Sequence, residues 1–180
     1  MTNDISRDPI TVRCVGINEA SACVEALADV LLDCVEGGAS VSFMWPLPRE
    51  KAIDFWRKVA EGVAHGERIL LIAETAQGDI VGTVQLIVAQ PDNQPHRADI
   101  AKMLVHRKAR RQGIAQRLMQ AADDAARAAG KTVLVLDTVT GGDAERVYQR
   151  TGWQRVGDIP NYALMPDGVL CSTTYYTKQL

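Results

Sequence analysis

Several signals that would assign this chain of 180 residues to a class at once are missing from it. No apolar stretch approaches the roughly 20 residues that cross a bilayer, and the opening M-T-N-D-I-S-R-D lacks the apolar core of a secretory signal. A soluble, cytoplasmic protein without membrane contact is therefore expected. Charge of one sign is not in excess. The formal net charge is −2, with basic residues gathered only at 107–111, which argues against a nucleic-acid partner and suits a small anionic ligand. Cys14, Cys23, Cys34 and Cys171 show no C-x-x-C spacing, and His65, His96 and His106 stand at no ligating distance in sequence from them. No metal is expected, and the thiols read as buried and free. Neither G-x-x-x-x-G-K-[ST] nor G-x-G-x-x-G occurs, so nucleoside triphosphates and dinucleotides are not favoured. Repeats and low-complexity tracts are absent too.

What is present is 47% hydrophobic and 23% charged, enough for one domain over residues 1–180 with a substantial core. The chain is organised around K-M-L-V-H-R-K-A-R-R-Q-G-I-A, residues 102–115. An apolar run ends at Val105, a basic loop follows, then Gly113, then an alanine-rich helix. The first turn of a helix carries unpaired N–H groups and the positive end of the macrodipole, so a phosphate fits there. Gly113 lets a diphosphate approach the backbone, and Arg110 and Arg111 add charged donors. A solvated basic loop is the plainer alternative for such a stretch.

In chain order, residues 10–17 alternate as a strand. A helix starts near Asn18 and Glu19, buries Ala20, Val24, Leu27, Leu31 and Cys34, and stops at Gly37. A proline-punctuated loop with Phe43, Met44 and Trp45 leads to a second helix over 49–60. Residues 68–74 and 80–88 form a hairpin, and 98–105 the strand before the basic loop. The helix after Gly113 presents Ile114, Leu118, Ala121, Ala125 and Ala128. Residues 133–136 read as a covered parallel strand closed by Asp137, reached by a right-handed crossover. A short helix over 144–150 precedes two strands, 153–157 and 172–179, with a loop at 158–171 containing Pro160 and Pro166.

Arg110, Gly113 and Ala115 fit Arg/Gln-x-x-Gly-x-Gly/Ala, and A-E-R-V-Y-Q-R-T-G-W at 144–153 fits A-x-x-x-Y-x-x-x-G-[FW]. Together they resemble the GNAT N-acetyltransferases across nearly the whole chain. The closing segments G-W-Q-R-V-G-D-I-P-N-Y-A-L and C-S-T-T-Y-Y-T-K-Q-L are similar to the tabtoxin resistance members of that family. Gly141 stands where many members have Asn, and Arg107 where many have proline.

The resemblance implies an α/β GNAT fold: a mixed, mostly antiparallel sheet with helices on both faces and two parallel strands splayed at the cofactor site. It implies acetyl transfer from acetyl-CoA, without a metal, to a primary amine of a small toxin-like or antibiotic-like molecule, in a monomer or homodimer. Arg110, Arg111, Gln112, Gly113, Ile114 and Ala115 would hold the pyrophosphate. Backbone groups of Met103, Leu104 and Val105 would bind the pantetheine arm, one N–H polarising the thioester carbonyl. The loop with Phe43, Met44 and Trp45 and the helix after it would wall the acceptor site.

A lysine-like amine with pKa about 10.4 is almost wholly protonated at neutral pH, so a base is useful. Asp137 is the first candidate, either as that base or as a charge partner for the amine, with Asp99 and Glu74 on neighbouring strands behind it. Tyr148 is the candidate acid for the leaving thiolate, or alternatively packs beside Ala144 and Val147 as core. Two other readings are a peptide or protein acceptor and a coenzyme A-binding sensor without turnover.

Overall fold

The computed structural model describes residues 9–180, so the reading of residues 1–8 lies outside it. Strands β1 (Thr11–Cys14), β2 (Arg68–Glu74), β3 (Ile80–Ile87), β4 (Arg97–Val105), β5 (Val133–Val139), β6 (Gln154–Leu164) and β7 (Leu170–Gln179) form one sheet in the order β1-β2-β3-β4-β5-β7-β6. Helices α1 (Val24–Glu36), α2 (Arg49–Ala64), α3 (Ile114–Ala128) and α4 (Asp143–Arg150) complete the fold. All strand pairs are antiparallel except β4 with β5. No helix among the described residues is long and apolar enough to cross a membrane.

Strand β2 shows why its sequence is apolar without alternation. Side chains alternate across a sheet, and here both faces are covered. Leu70 and Ile72 join the core under α1 and α2, with Leu27, Leu31 and Trp56. Leu71 and Ala73 join the core under α3, with Leu118, Met119 and Leu134. The helix α3 comes close to the sheet at Gly82, where an added Cβ would lie 3.1 Å from the Leu104 carbonyl and 3.2 Å from Leu118. A glycine in that strand therefore sets the helix–sheet spacing.

Three expectations are corrected. The first helix does not begin at Asn18: Glu19 is engaged by Arg13, a 3-10 turn spans Ala20–Cys23, and the α-helix starts at Val24. The buried stripe of α3 runs through Ile114, Leu118, Met119, Ala122 and Ala126 rather than Ala121, Ala125 and Ala128. It is rotated because it includes Asp123, 2% exposed and paired with Lys178, a charged position that an apolar pattern skips. Residues 158–164, expected as loop, belong to β6. That strand lies at the sheet edge, where Pro160 removes a donor no neighbour uses, and the register slips between Ile159 and Ala163 to accommodate it.

The Asp123–Lys178 pair ties α3 to β7, and Lys178 also donates to the Thr151 carbonyl behind α4. Removing one partner leaves a buried charge uncompensated. Asp123→Ala is expected to cost about 3 kcal/mol, read as a lower denaturant midpoint at unchanged m-value. A midpoint at the wild-type value would mean that Lys178 simply swings to solvent.

Candidate active site

Strands β4 and β5 pair only through Arg97–Val133, Ala98–Leu134 and Asp99–Val135. Beyond that point β4 continues to Val105 and β5 to Val139 with no ladder between them, while β5 stays paired to β7 along its whole length. A gap thus opens toward the carboxyl ends of two parallel strands, where ligands bind in open α/β sheets.

On the β4 side the register against β3 shifts by one residue. Gln85 faces Ala101 and Thr83 faces Leu104, so β4 carries a bulge, and Lys102 within it has φ +50°. Past the bulge, the His106 N–H donates to the Val81 carbonyl at 2.9 Å. Alternation along the strand then turns the N–H groups of Met103 and Val105 away from β3, toward the gap. The Leu104 side chain is buried under α1 and α2, whereas Met103 and Val105 pack toward α3. The Val105 carbonyl is already used: it accepts from Arg110 Nε at 3.2 Å and from Cys34 Sγ at 3.5 Å. Its N–H is what it offers a ligand.

The basic loop is pinned to α1 by Asp33, which accepts from the Arg107 backbone N–H at 2.7 Å and from Arg107 Nε at 2.9 Å, while the same guanidinium reaches Glu36. These bonds explain how arginine serves at a position often held by a rigid proline. Burial alone would raise the Asp33 carboxyl, but the Arg107 hydrogen bonds and the charges of His106 and Arg107 hold it below the usual carboxylate range. His106 accepts at Nδ1 from the Lys108 N–H at 3.2 Å, and lies 3.4 Å from Asp33. Farther along, Arg111 and Gly113 both adopt left-handed backbone, at φ +62° and +73°, flanking Gln112. Alternating conformations of this kind point successive N–H groups into one concavity suited to an anion. Gly113 caps α3, whose first intrahelical bond here is Arg117 N–H to the Gly113 carbonyl. The N–H groups of Ile114 and Ala115 precede any intrahelical partner. The buried Ile114 side chain anchors the turn from below. A Cβ on Gly113 would meet no atom within 4 Å, so space for a ligand lies above it. These features fit a diphosphate.

A cavity of about 330 Å³ opens beside the far end of β5, lined by Ser42, Phe43 and Met44 of the α1–α2 loop, by Asp137, and by Tyr162 and Thr173 of the last hairpin. Trp45 does not join Phe43 and Met44 there; it lines a separate cavity with Asp29 and Asp79. Asp137 does not end β5, as expected, but sits exposed within it. Thr173, itself buried, donates to Asp137 Oδ2 at 2.9 Å and so fixes the carboxylate at the cavity wall. Asp99 and Glu74 are engaged elsewhere, Asp99 by Arg97 and Gln90, Glu74 by Arg13. Tyr148 is 5% exposed in α4 and packs on Trp153 and Tyr176 at ring distances of 6.1 and 5.8 Å. It does not line the cavity. Burial, with the charge of Asp137 added, pushes its phenol well above the usual tyrosine value.

One residue passed over in the sequence is Lys102. Its Nζ donates to Ser42 Oγ at 3.1 Å and lies 5.6 Å from the Phe55 ring centroid. Burial pushes its ammonium below the usual lysine range, Asp137 opposing and Arg68 adding to the fall. The signal in the sequence was a lysine in the apolar second half of β4, between Ala101 and Met103.

A cleft between two splayed parallel strands, ending on a loop and helix with unpaired N–H groups, suits a ligand that carries a diphosphate at one end. Comparison with known proteins agrees. Residues 22–153 match the model of the acetyltransferase (GNAT) family, and the chain belongs to that family. An uncharacterized N-acetyltransferase of the hisH-hisA intergenic region of Azospirillum brasilense is 34% identical over 113 residues, 62% of this chain and 65% of that protein. The match thus spans less than two thirds of that relative. Among solved structures, yncA of Salmonella typhimurium with its cofactor acetyl-CoA superposes with a TM-score of 0.75 at 18% identity, covering 96% of this chain and 94% of that one. A ribosomal-protein-alanine N-acetyltransferase of Brucella melitensis gives 0.76 at 20% identity, covering 94% and 99%. These likenesses establish the fold.

Proposed function

We propose that the protein transfers the acetyl group of acetyl-CoA directly to a primary amine of a small molecule. The observation that carries this reading is that β4 and β5 part after Asp99 and Val135, with the turn at residues 110–115 following β4 and the cavity holding Asp137 beside the far end of β5. Arg110, Arg111, Gln112, Gly113, Ile114 and Ala115 receive the pyrophosphate. The backbone of Met103, Leu104 and Val105 receives the pantetheine arm, and an N–H facing the gap stabilises the oxyanion that forms on the thioester. Asp137, held by Thr173, binds the acceptor ammonium at the cavity wall. Tyr148 enters protonated and donates toward sulfur as negative charge builds there. Desolvation that raises a phenol also raises a thiolate's proton affinity in the same place, so donation remains directed to sulfur.

A volume of about 330 Å³ lies at the low end of small-ligand pockets, which favours a small acceptor. The similarity of the closing segments to tabtoxin resistance enzymes supports an amine-bearing antimetabolite or antibiotic. The Brucella neighbour's action on a ribosomal protein alanine keeps a peptide amine as the second reading.

Thiol release from acetyl-CoA is the test, run against amino-acid-like toxins, aminoglycosides, polyamines and an alanine-terminated peptide. Turnover of one small amine, with the peptide silent, is the expected result. Asp137→Asn is expected to lower kcat/KM for that amine by about 100-fold while acetyl-CoA affinity, read by calorimetry, stays put. Peptide turnover alone would establish the second reading. Failure to bind acetyl-CoA would sink both.

A further inference from the structure

Lys102 has no part in the scheme above, yet the fold takes trouble to place it. It stands on the β4 bulge with φ +50°, and its hydrogen-bond partner Ser42, 60 residues away, has φ +78°. Left-handed backbone at a non-glycine residue costs of order 1 kcal/mol or more, and it persists where the surroundings hold it. Here two such residues are joined side chain to side chain. Ser42 lines the cavity that Asp137 also lines, so its exposed hydroxyl links Nζ of half-buried Lys102 to the acceptor site. The charged groups acting on Nζ are Asp137 from β5 and Arg68 from β2; Phe55 of α2 covers it with an aromatic face. Packing alone would be served by methionine or leucine.

We infer that Lys102, through the Ser42 hydroxyl, accepts the proton that the acceptor ammonium must lose before it attacks. This rests on the acetyl-transfer reading. The ammonium held at Asp137 gives a proton to Ser42 Oγ, whose own proton passes to the lone pair of neutral Nζ. The freed amine lone pair forms the C–N bond to the thioester carbonyl carbon. When the C–S bond breaks, sulfur keeps the electron pair and takes a proton from Tyr148, which is restored by the second proton of the attacking nitrogen. Lys102 then releases its proton to solvent, so each turnover yields amide, thiol and one proton. Asp137 thereby binds the amine and Lys102 deprotonates it. Burial holds the ammonium below the usual lysine range, so neutral Nζ is more accessible here than on an exposed lysine.

The sign follows. Turnover needs neutral Nζ, so kcat rises with pH through a limb that lies below the ordinary lysine value of about 10.4. With the amine that the wild-type enzyme turns over, Lys102→Met is expected to lower kcat by about 100-fold or more and to lose that limb, with KM for the amine within about threefold. Lys102→Arg is expected not to rescue, because a guanidinium keeps its proton. Ser42→Ala should show a smaller loss of the same kind. An Lys102→Arg enzyme within about threefold of wild type would overturn the inference, since charge and not basicity would then be what matters. So would a Lys102→Met enzyme that keeps the limb.

A second arm needs no acceptor. Trace labelling of the intact wild-type protein with acetic anhydride between about pH 6 and 11, read by peptide mass spectrometry, gives the titration of each lysine. Lys102 is expected to reach half-reactivity below exposed Lys51 and Lys58, and co-titration with them would overturn the inference whether or not the variants fold. Loss of acetyl-CoA binding by the wild type would instead count against the acetyl-transfer reading, leaving the labelling result to stand.

Discussion

Tyr148→Phe is expected to lower kcat by about 100-fold or more while acetyl-CoA affinity changes by no more than about threefold. The substitution removes one oxygen from a ring that keeps its packing against Trp153 and Tyr176, so the aromatic cluster beneath α4 is preserved. What disappears is a phenol that burial and the nearby Asp137 carboxylate keep protonated at every physiological pH. Without it, negative charge developing on sulfur has no positioned donor, and the loss falls on the chemical step rather than on binding. Steady-state kinetics with calorimetry separates the two. Turnover at the wild-type rate would reduce Tyr148 to a core residue, the alternative that its 5% exposure also accommodates.

Gly113→Val is expected to act on the other half of the cycle. At φ +73° a side chain in left-handed backbone costs roughly 1–2 kcal/mol, more for a β-branched one, so the turn relaxes toward negative φ. That relaxation swings the Ile114 and Ala115 N–H groups out of the concavity and costs the pyrophosphate its charge-assisted bonds, each worth about 1.5–3 kcal/mol. Acetyl-CoA affinity should fall by about 100-fold or more. The fold should survive, because a Cβ at this position meets nothing within 4 Å. Gly113→Ala should show a milder version of the same loss, and unchanged affinity in the valine variant would remove the phosphate role from this turn.

The parts of the protein legible in its sequence are those governed by local chemistry. Strand β2 was bounded at residues 68–74 by its apolar run, and the stripe Ala20, Val24, Leu27, Leu31 and Cys34 is buried throughout, although Ala20 belongs to the 3-10 turn before α1. The turn at 110–115 could be read because Gly113 announces its left-handed backbone directly, with φ +73°. Asp137 could be singled out as a candidate carboxylate, but its position was misread: it was placed at a buried strand end, whereas it is exposed within a strand that continues to Val139. Tyr148 was singled out as a candidate by the resemblance of its motif to the family's, yet whether it faces a cleft or the core depends on Trp153 and Tyr176, residues from outside its helix.

Composition, periodicity and the two short motifs by themselves determined the class of fold, the order of its elements and the loop at 110–115 as the candidate anion site. Tertiary structure alone decided where β4 and β5 part after Asp99 and Val135, that Asp33 ties Arg107 to α1, that Pro160 lies in an edge strand, and that Lys102 meets Ser42 across 60 residues. The physical reason is range. Turns, caps and buried faces are set by residues within a few positions of one another, while a proton path or a pinned loop joins groups that come together only when distant segments pack.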